Sequence, residues 1–111
     1  MDWAAEEREG AVVATPRGRV DEASWQDFAA RLADCVTNAA ALPAKKLVID
    51  FSSVEYMSSR GLRALTIGKR EADTAGVEIA LASPNGIMRE ILAISRYDKL
   101  FVVAETVEAA L

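Results

Sequence analysis

The chain has 111 residues, 51% of them apolar and 27% charged, which is enough apolar side chain for one core in one domain over residues 1–111 and excludes a disordered chain. Its formal net charge is −4, with no histidine and one cysteine, so no basic nucleic-acid footprint is expected and no histidine-dependent triad, histidine metal site or multi-thiolate site can form within the chain. Neither a signal-peptide segment nor a bilayer-length apolar run occurs, and a soluble, cytoplasmic protein without membrane insertion is the expectation.

Residues 2–9 are mostly charged, with Trp3 the only large apolar anchor. They admit a short edge strand over Trp3 to Arg8, closed by a turn at Glu9-Gly10. Ala11 to Thr15 reads as a strand, and Pro16 marks its edge or a bulge. On composition, Arg17-Gly18-Arg19-Val20-Asp21 is a turn region. The first long helix is expected over residues 24–41. Ser24 with Asp27 resembles a capping box with the shorter acid, and Trp25, Phe28, Ala29, Leu32, Val36 and Ala39 fall on one face. Cys35 lies at the margin of that stripe as a small buried hydrophobe. Pro43 ends the helix.

Leu47 to Asp50 has the length and apolar content of a strand buried on both faces. A spacer then leads to Ser58-Ser59, where Leu62 onward reads as helix over residues 60–75. If Ser58 is the N-cap, Ser59 sits in the first turn, among N–H groups that have no intrahelical partner and favour an anion. A plain cap is the competing reading. Two local breaches count against it: Arg60 puts a cation at the positive end of the helix dipole, and Gly61 is a poor helix former in the same turn. Glycine there would let another backbone approach closely. Leu62, Leu65 and Ala72 are expected to face the core, with Gly68 permitting close packing on the sheet and Gly76 ending the helix.

Val77 to Leu81 is a further strand. Ser83 followed by Pro84 has the form of an N-cap and first helical residue, opening a third helix over residues 84–95 with Ile87, Met88, Ile91 and Leu92 as its apolar stripe. Lys99 to Val103 supplies a last strand and Thr106 to Leu111 a terminal helical turn or two. The expected core is Trp25, Phe28, Leu32, Leu47, Ile49, Leu62, Leu65, Ile79, Leu81, Ile91 and Leu92. Alternation of strands and helices predicts an α/β fold: a mixed, mainly parallel sheet with helices packed against it.

The segment Leu47 to Leu65 resembles the STAS domain of bacterial anti-sigma factor antagonists. That family's pattern is an apolar strand, Asp-hydrophobic-Ser, a spacer and Asp-Ser-Ser-Gly-Leu. It is met here by Asp50-Phe51-Ser52 and Ser58-Ser59-Arg60-Gly61-Leu62. Ser59 falls on the phosphorylated serine, with Ser58 the alternative acceptor. Ser58 stands where the family carries an acid and Arg60 where it carries a serine, whereas Ser58 and Arg63 match members reading Ser-Ser-x-Gly-Leu-Arg. Arg17 to Asp21 is similar to the family's Gly-Arg-hydrophobic-Asp segment, and Ser83-Pro84-Asn85 and Leu100-Phe101 also sit where members carry similar residues. The likeness runs from Val12 to Leu111.

What the resemblance implies is a single STAS-like domain acting as a phosphorylation-controlled partner switch. Unphosphorylated, it would bind an anti-sigma factor that is also a serine/threonine kinase. Phosphorylation of Ser59 would release it, and a metal-dependent serine phosphatase would reset it. Asp21, Ser58, Ser59, Arg60, Gly61 and Arg63 would form the partner-binding surface of a monomer or weak dimer, with no cofactor and no direct nucleic-acid contact. Arg63 lies four residues after Ser59, close enough to meet a phosphate there, although a solvated arginine reads equally well. An alternative is a constitutive, unphosphorylated STAS subunit of a membrane transport assembly. An enzyme with Ser59 as nucleophile would need Lys69 or Lys99 as base, which nothing in the sequence places beside it, and no phosphate-loop spacing supports nucleotide binding.

Overall fold

The computed structural model describes residues 1–111. Asp2–Arg8 (β1) and Ala11–Val20 (β2) form an antiparallel hairpin. Its turn has Glu9 at φ 52° and Gly10 at φ 79°, the double positive φ whose twist suits a two-residue hairpin. Trp25–Ala40 (α1) follows, then Lys46–Asp50 (β3), Val54–Met57 (β4), Ser59–Ala75 (α2), Glu78–Ala82 (β5), Gly86–Ile94 (α3), a 3-10 turn at Tyr97–Lys99, Val102–Ala104 (β6) and Val107–Ala110 (α4). The main sheet runs β1-β2-β3-β5-β6, parallel except for β1, and β4 pairs with β2 off that path. The mixed α/β architecture is therefore as expected.

Strand β3 is the centre of the molecule. Leu47, Val48 and Ile49 are fully buried, and alternation sends them to opposite faces. Leu47 and Ile49 join the main core with Phe28, Leu32, Leu65, Leu81 and Leu92. Val48 meets a smaller cluster of Val13, Ala80, Ala82, Val107 and Ala110 on the other face. There, Lys46 Nζ donates to the Ala110 carbonyl at 2.9 Å and fastens α4 to the sheet. Cys35 is buried in the main core, and that burial pushes its thiol pKa up.

Several local expectations are corrected. β2 does not end near Pro16. It pairs with β3 through Ala14, passes Pro16, and takes up β4 from Gly18 to Val20, with a register irregularity at Gly18/Arg19. β4 was expected as spacer: only Val54 and Met57 are buried in it, three residues apart, so it lacks strand alternation. Gly68 packs on α1, not on the sheet, since a Cβ there would stand 2.4 Å from Leu32 Cδ2. Ser24 forms no capping box; its hydroxyl donates to the Arg19 carbonyl at 2.7 Å, and Asp27 pairs with Arg31.

Ser83 is not a cap either. It has φ 54°, and the α3 N-cap is Asn85, whose side chain accepts from Met88 N–H at 2.8 Å. The last strand begins at Val102, because Tyr97–Lys99 closes into a 3-10 turn. Trp25, Leu62 and Ile91 are half-buried rather than core, and Ile87 points outward, because α3 buries only Met88 and Leu92.

Candidate functional site

The serine turn is held from β2 and β4. Met57 ends β4 and Ser58 caps α2 in extended geometry. The Ser58 N–H donates to the Val20 carbonyl at 2.8 Å, its carbonyl accepts from Leu62 N–H at 2.9 Å, and its side chain accepts from Gly61 N–H at 3.3 Å. All three polar groups of Ser58 are thus engaged, which is the N-cap role expected of it. Ser59 is the first residue of the helix and exposed, and its hydroxyl has no partner. Two adjacent serines therefore have different chemistry: one hydroxyl spent on the fold, one free at the positive end of a seventeen-residue helix.

Gly61 has a packing reason. A Cβ there would lie 2.5 Å from Met57 Cγ and 2.8 Å from Val20 Cγ1. The close approach is by side chains of β4 and β2, not by another backbone as the sequence suggested, and Gly61 lies buried beneath the surface rather than on it. Arg60 is balanced by its neighbours. Its Nε stands 3.1 Å from Glu22 Oε2, and its guanidinium lies 5.6 Å from the Trp25 ring centre. The wrong-signed charge in the first turn is thus offset by a carboxylate from the β2–α1 connection.

Asp21 belongs to that same connection. Its carboxylate accepts from Ala23 N–H at 3.0 Å and stands 3.8 Å from Arg19, whose guanidinium covers the Tyr56 ring at 4.6 Å. The structure brings Asp21 to the neighbourhood of the serine turn through the Val20–Ser58 bond, but Asp21 touches neither serine. Arg63 is exposed one turn beyond Ser59. Beside it opens a groove of about 750 Å³, lined by Ser59, Arg60, Arg63, Thr66, Ile67 and Arg70 of α2 together with Trp25 and Tyr97.

Sequence reasoning missed Glu22, Arg70, Trp25 and Tyr97 as members of this surface. Arg70 was findable, since Ser59, Arg63, Thr66 and Arg70 follow four-, three- and four-residue spacing on one helix face. The other three come from separate elements and carry no local signal. No cluster of three or more His, Cys, Asp or Glu side chains is assembled anywhere in the chain, and no helix is long and apolar enough to cross a membrane.

A strand-held serine turn at the head of a helix, on a mixed sheet entered by an antiparallel hairpin, defines a class. The family model for the STAS domain matches residues 2–110, and the chain belongs to that family. It is 28% identical over 102 residues to BtrV of Bordetella bronchiseptica, covering 92% of this chain and 84% of that protein, whose name provisionally makes it an anti-sigma factor antagonist. A STAS-domain containing protein of Pseudomonas aeruginosa is 31% identical over 88 residues, 79% of this chain and 82% of that one. Among solved structures, an anti-sigma factor antagonist from Mycobacterium paratuberculosis superposes with a TM-score of 0.85 at 22% identity, over 98% of this chain and 89% of the other.

Proposed function

We propose that this domain is an anti-sigma factor antagonist working as a phosphorylation-controlled partner switch in the cytoplasm. Unphosphorylated, it binds an anti-sigma factor serine/threonine kinase. The kinase transfers the γ-phosphoryl group of ATP to Ser59 Oγ, with ADP leaving and the hydroxyl proton released, and the complex parts. A serine phosphatase then hydrolyses the ester with water, returning the hydroxyl and inorganic phosphate. The observation that carries this reading is the contrast within the serine pair: Ser59 Oγ is exposed and unpartnered, whereas Ser58 Oγ caps the helix. The relationship to BtrV supports the same reading.

The physics suits a switch. A phosphoserine brings roughly −1.5 to −2 charges at pH 7. In the first turn of α2 that charge is favourable for the helix, so the fold survives while the surface changes sign. Asp21, Ser58, Ser59, Arg60 and Arg63 supply the partner-binding surface, with buried Gly61 seating the helix beneath it. The domain binds rather than catalyses. Ser59 has no base beside it, and Lys69 is occupied by Asp73 at 3.0 Å.

Incubation with ATP and the serine kinase regulators of the same genome, read by intact mass, tests the assignment. Wild type and Ser58→Ala should each gain one phosphate and Ser59→Ala none. Phosphate on Ser59→Ala but not on Ser58→Ala would move the acceptor to Ser58. No phosphate on wild type from any of these kinases would favour the constitutive subunit of a transport assembly.

A further inference from the structure

The groove beside Ser59 has a charge that the rest of the chain does not share. Acidic residues outnumber basic ones 17 to 13, yet no carboxylate lines it. Arg60 at its mouth is taken by Glu22 at 3.1 Å. Arg63 and Arg70 make no ion pair within the chain, although five other arginines do: Arg8, Arg19, Arg31, Arg60 and Arg89. Tyr97 is tied to α2, because its OH and Thr66 Oγ1 are 2.6 Å apart and hydrogen-bonded. Two unpaired guanidinium groups on a rigid helix are thus presented to whatever enters.

We propose that this groove docks an acidic segment of a partner protein, with one carboxylate on Arg63 and a second on Arg70. We further propose that a phosphate on Ser59 ends the docking by capturing Arg63 from within the chain. The second half rests on the switch reading above; the first half does not. Arg63 and Arg70 are seven residues apart on α2, which is about 10 Å along the axis. The matching carboxylates are therefore seven residues apart on a helix, or two or four apart on an extended strand, where alternate residues share a face at about 3.3 Å per residue. Arginine meets a carboxylate through a two-pronged, charge-assisted hydrogen bond, and the Arg89–Glu105 pair, at 3.4 and 3.0 Å, is an example within this chain. The net negative charge of the domain disfavours a nucleic-acid strand as occupant.

Ser59 and Arg63 are an i, i+4 pair, and helical side chains lean toward the N-terminus, so a phosphate on Ser59 lies within reach of the Arg63 guanidinium. Being tethered, it competes at an effective concentration in the millimolar range or above. Arg70 lies eleven residues from Ser59, about 16 Å along the helix, beyond that reach. Modification of Ser59 therefore removes the Arg63 half of the docking site and leaves the Arg70 half.

Selection from a random peptide display library against the folded domain tests this. The strongest selected peptide, labelled with fluorescein, is then titrated by anisotropy. Acidic residue pairs at two-, four- or seven-residue spacing are expected among the selected sequences. Arg63→Gln and Arg70→Gln should each weaken the labelled peptide about tenfold, with unchanged circular dichroism. Ser59→Asp should weaken it about fivefold in wild type but less than about twofold in the Arg63→Gln background. Selected peptides without carboxylates, indifference to Arg70→Gln, or tighter binding of a ten-nucleotide oligothymidine would overturn the docking site. An equal loss from Ser59→Asp with and without Arg63 would overturn the competition. Failure of the switch reading itself shows elsewhere, as the absence of phosphate on Ser59 in the mass experiment, and leaves the peptide result standing.

Discussion

Gly68→Ala should change the sign of its effect with the residue it faces. In a helix interior, replacing glycine by alanine ordinarily stabilises by about 1 kcal/mol. Here the new Cβ would stand 2.4 Å from Leu32 Cδ2 and 2.9 Å from Leu32 Cγ. Rotating the terminal methyl away does not relieve the contact with Cγ, and Leu32 is 1% exposed in the core, with no room to retreat. Overpacking of this kind costs about 1–3 kcal/mol, so the net effect should be a loss of up to about 2 kcal/mol. In the Leu32→Ala background, itself about 2–5 kcal/mol less stable, the obstacle is gone and Gly68→Ala should be stabilising by about 1 kcal/mol. Urea titration followed by the fluorescence of Trp3 and Trp25 gives the four stabilities of the cycle. A stabilising Gly68→Ala in the wild-type background, or a loss that persists in Leu32→Ala, would refute the claim that Gly68 sets the distance between α1 and α2. The same distance sets the groove, since Trp25 is on α1 and the arginines are on α2.

Other outcomes follow from the same contacts. Ser58→Ala should lose about 0.5–2 kcal/mol of stability with its cap in urea titration, and a loss near zero would mean that the Gly61 N–H is satisfied otherwise. The Arg31 Nε–H, shared between the two Asp27 carboxylate oxygens at 3.2 and 3.1 Å, holds the Asp27 pKa below the usual 3.8. The stability this adds is complete above pH 3.8 and is lost as pH falls through the lowered value. The gap between wild type and Asp27→Asn in urea midpoint should therefore be full well above pH 3.8 and narrow progressively as pH falls below it, and a pH-independent gap would assign it to something other than ionisation. Arg60→Glu breaks the pair with Glu22 and should slow association with the proposed kinase partner more than it changes dissociation, as rim charges do. Surface plasmon resonance reads both rates, and an unchanged on-rate takes Arg60 out of the encounter surface.

Much of the fold was legible because its periodicities are long. The α1 stripe of Phe28, Leu32, Val36 and Ala39 and the buried run Leu47–Ile49 needed no tertiary information to be read. β4 was not legible, since Val54 and Met57 alone face inward and three residues apart they mimic a loop. Ser83-Pro84 has the letters of a helix start, but the left-handed backbone of Ser83 keeps it outside α3, and Asn85 caps instead. At the site, the serines and Arg63 were local and visible. The partner of Arg60 was not: Arg60 reads as a breach of the dipole rule until folding brings Glu22 to it. Gly61 was noticed for the right reason, close approach, while the object approached was two side chains of the protein's own sheet.

The unbroken course of β2 bears on the thermodynamics of recognition. One strand is clamped between β1 and β3, goes on to hold β4, and delivers Asp21 and Glu22 directly to the start of α2. The serine turn and the acidic connection therefore take their positions from the sheet, and neither has to be ordered when a partner arrives. Ordering loops and side chains is a main cost of association, at about 0.5–1.5 kcal/mol for each immobilised flexible side chain. If a partner docks in the groove as proposed, that cost on this side of the interface falls mainly on the long arginines rather than on the serine turn.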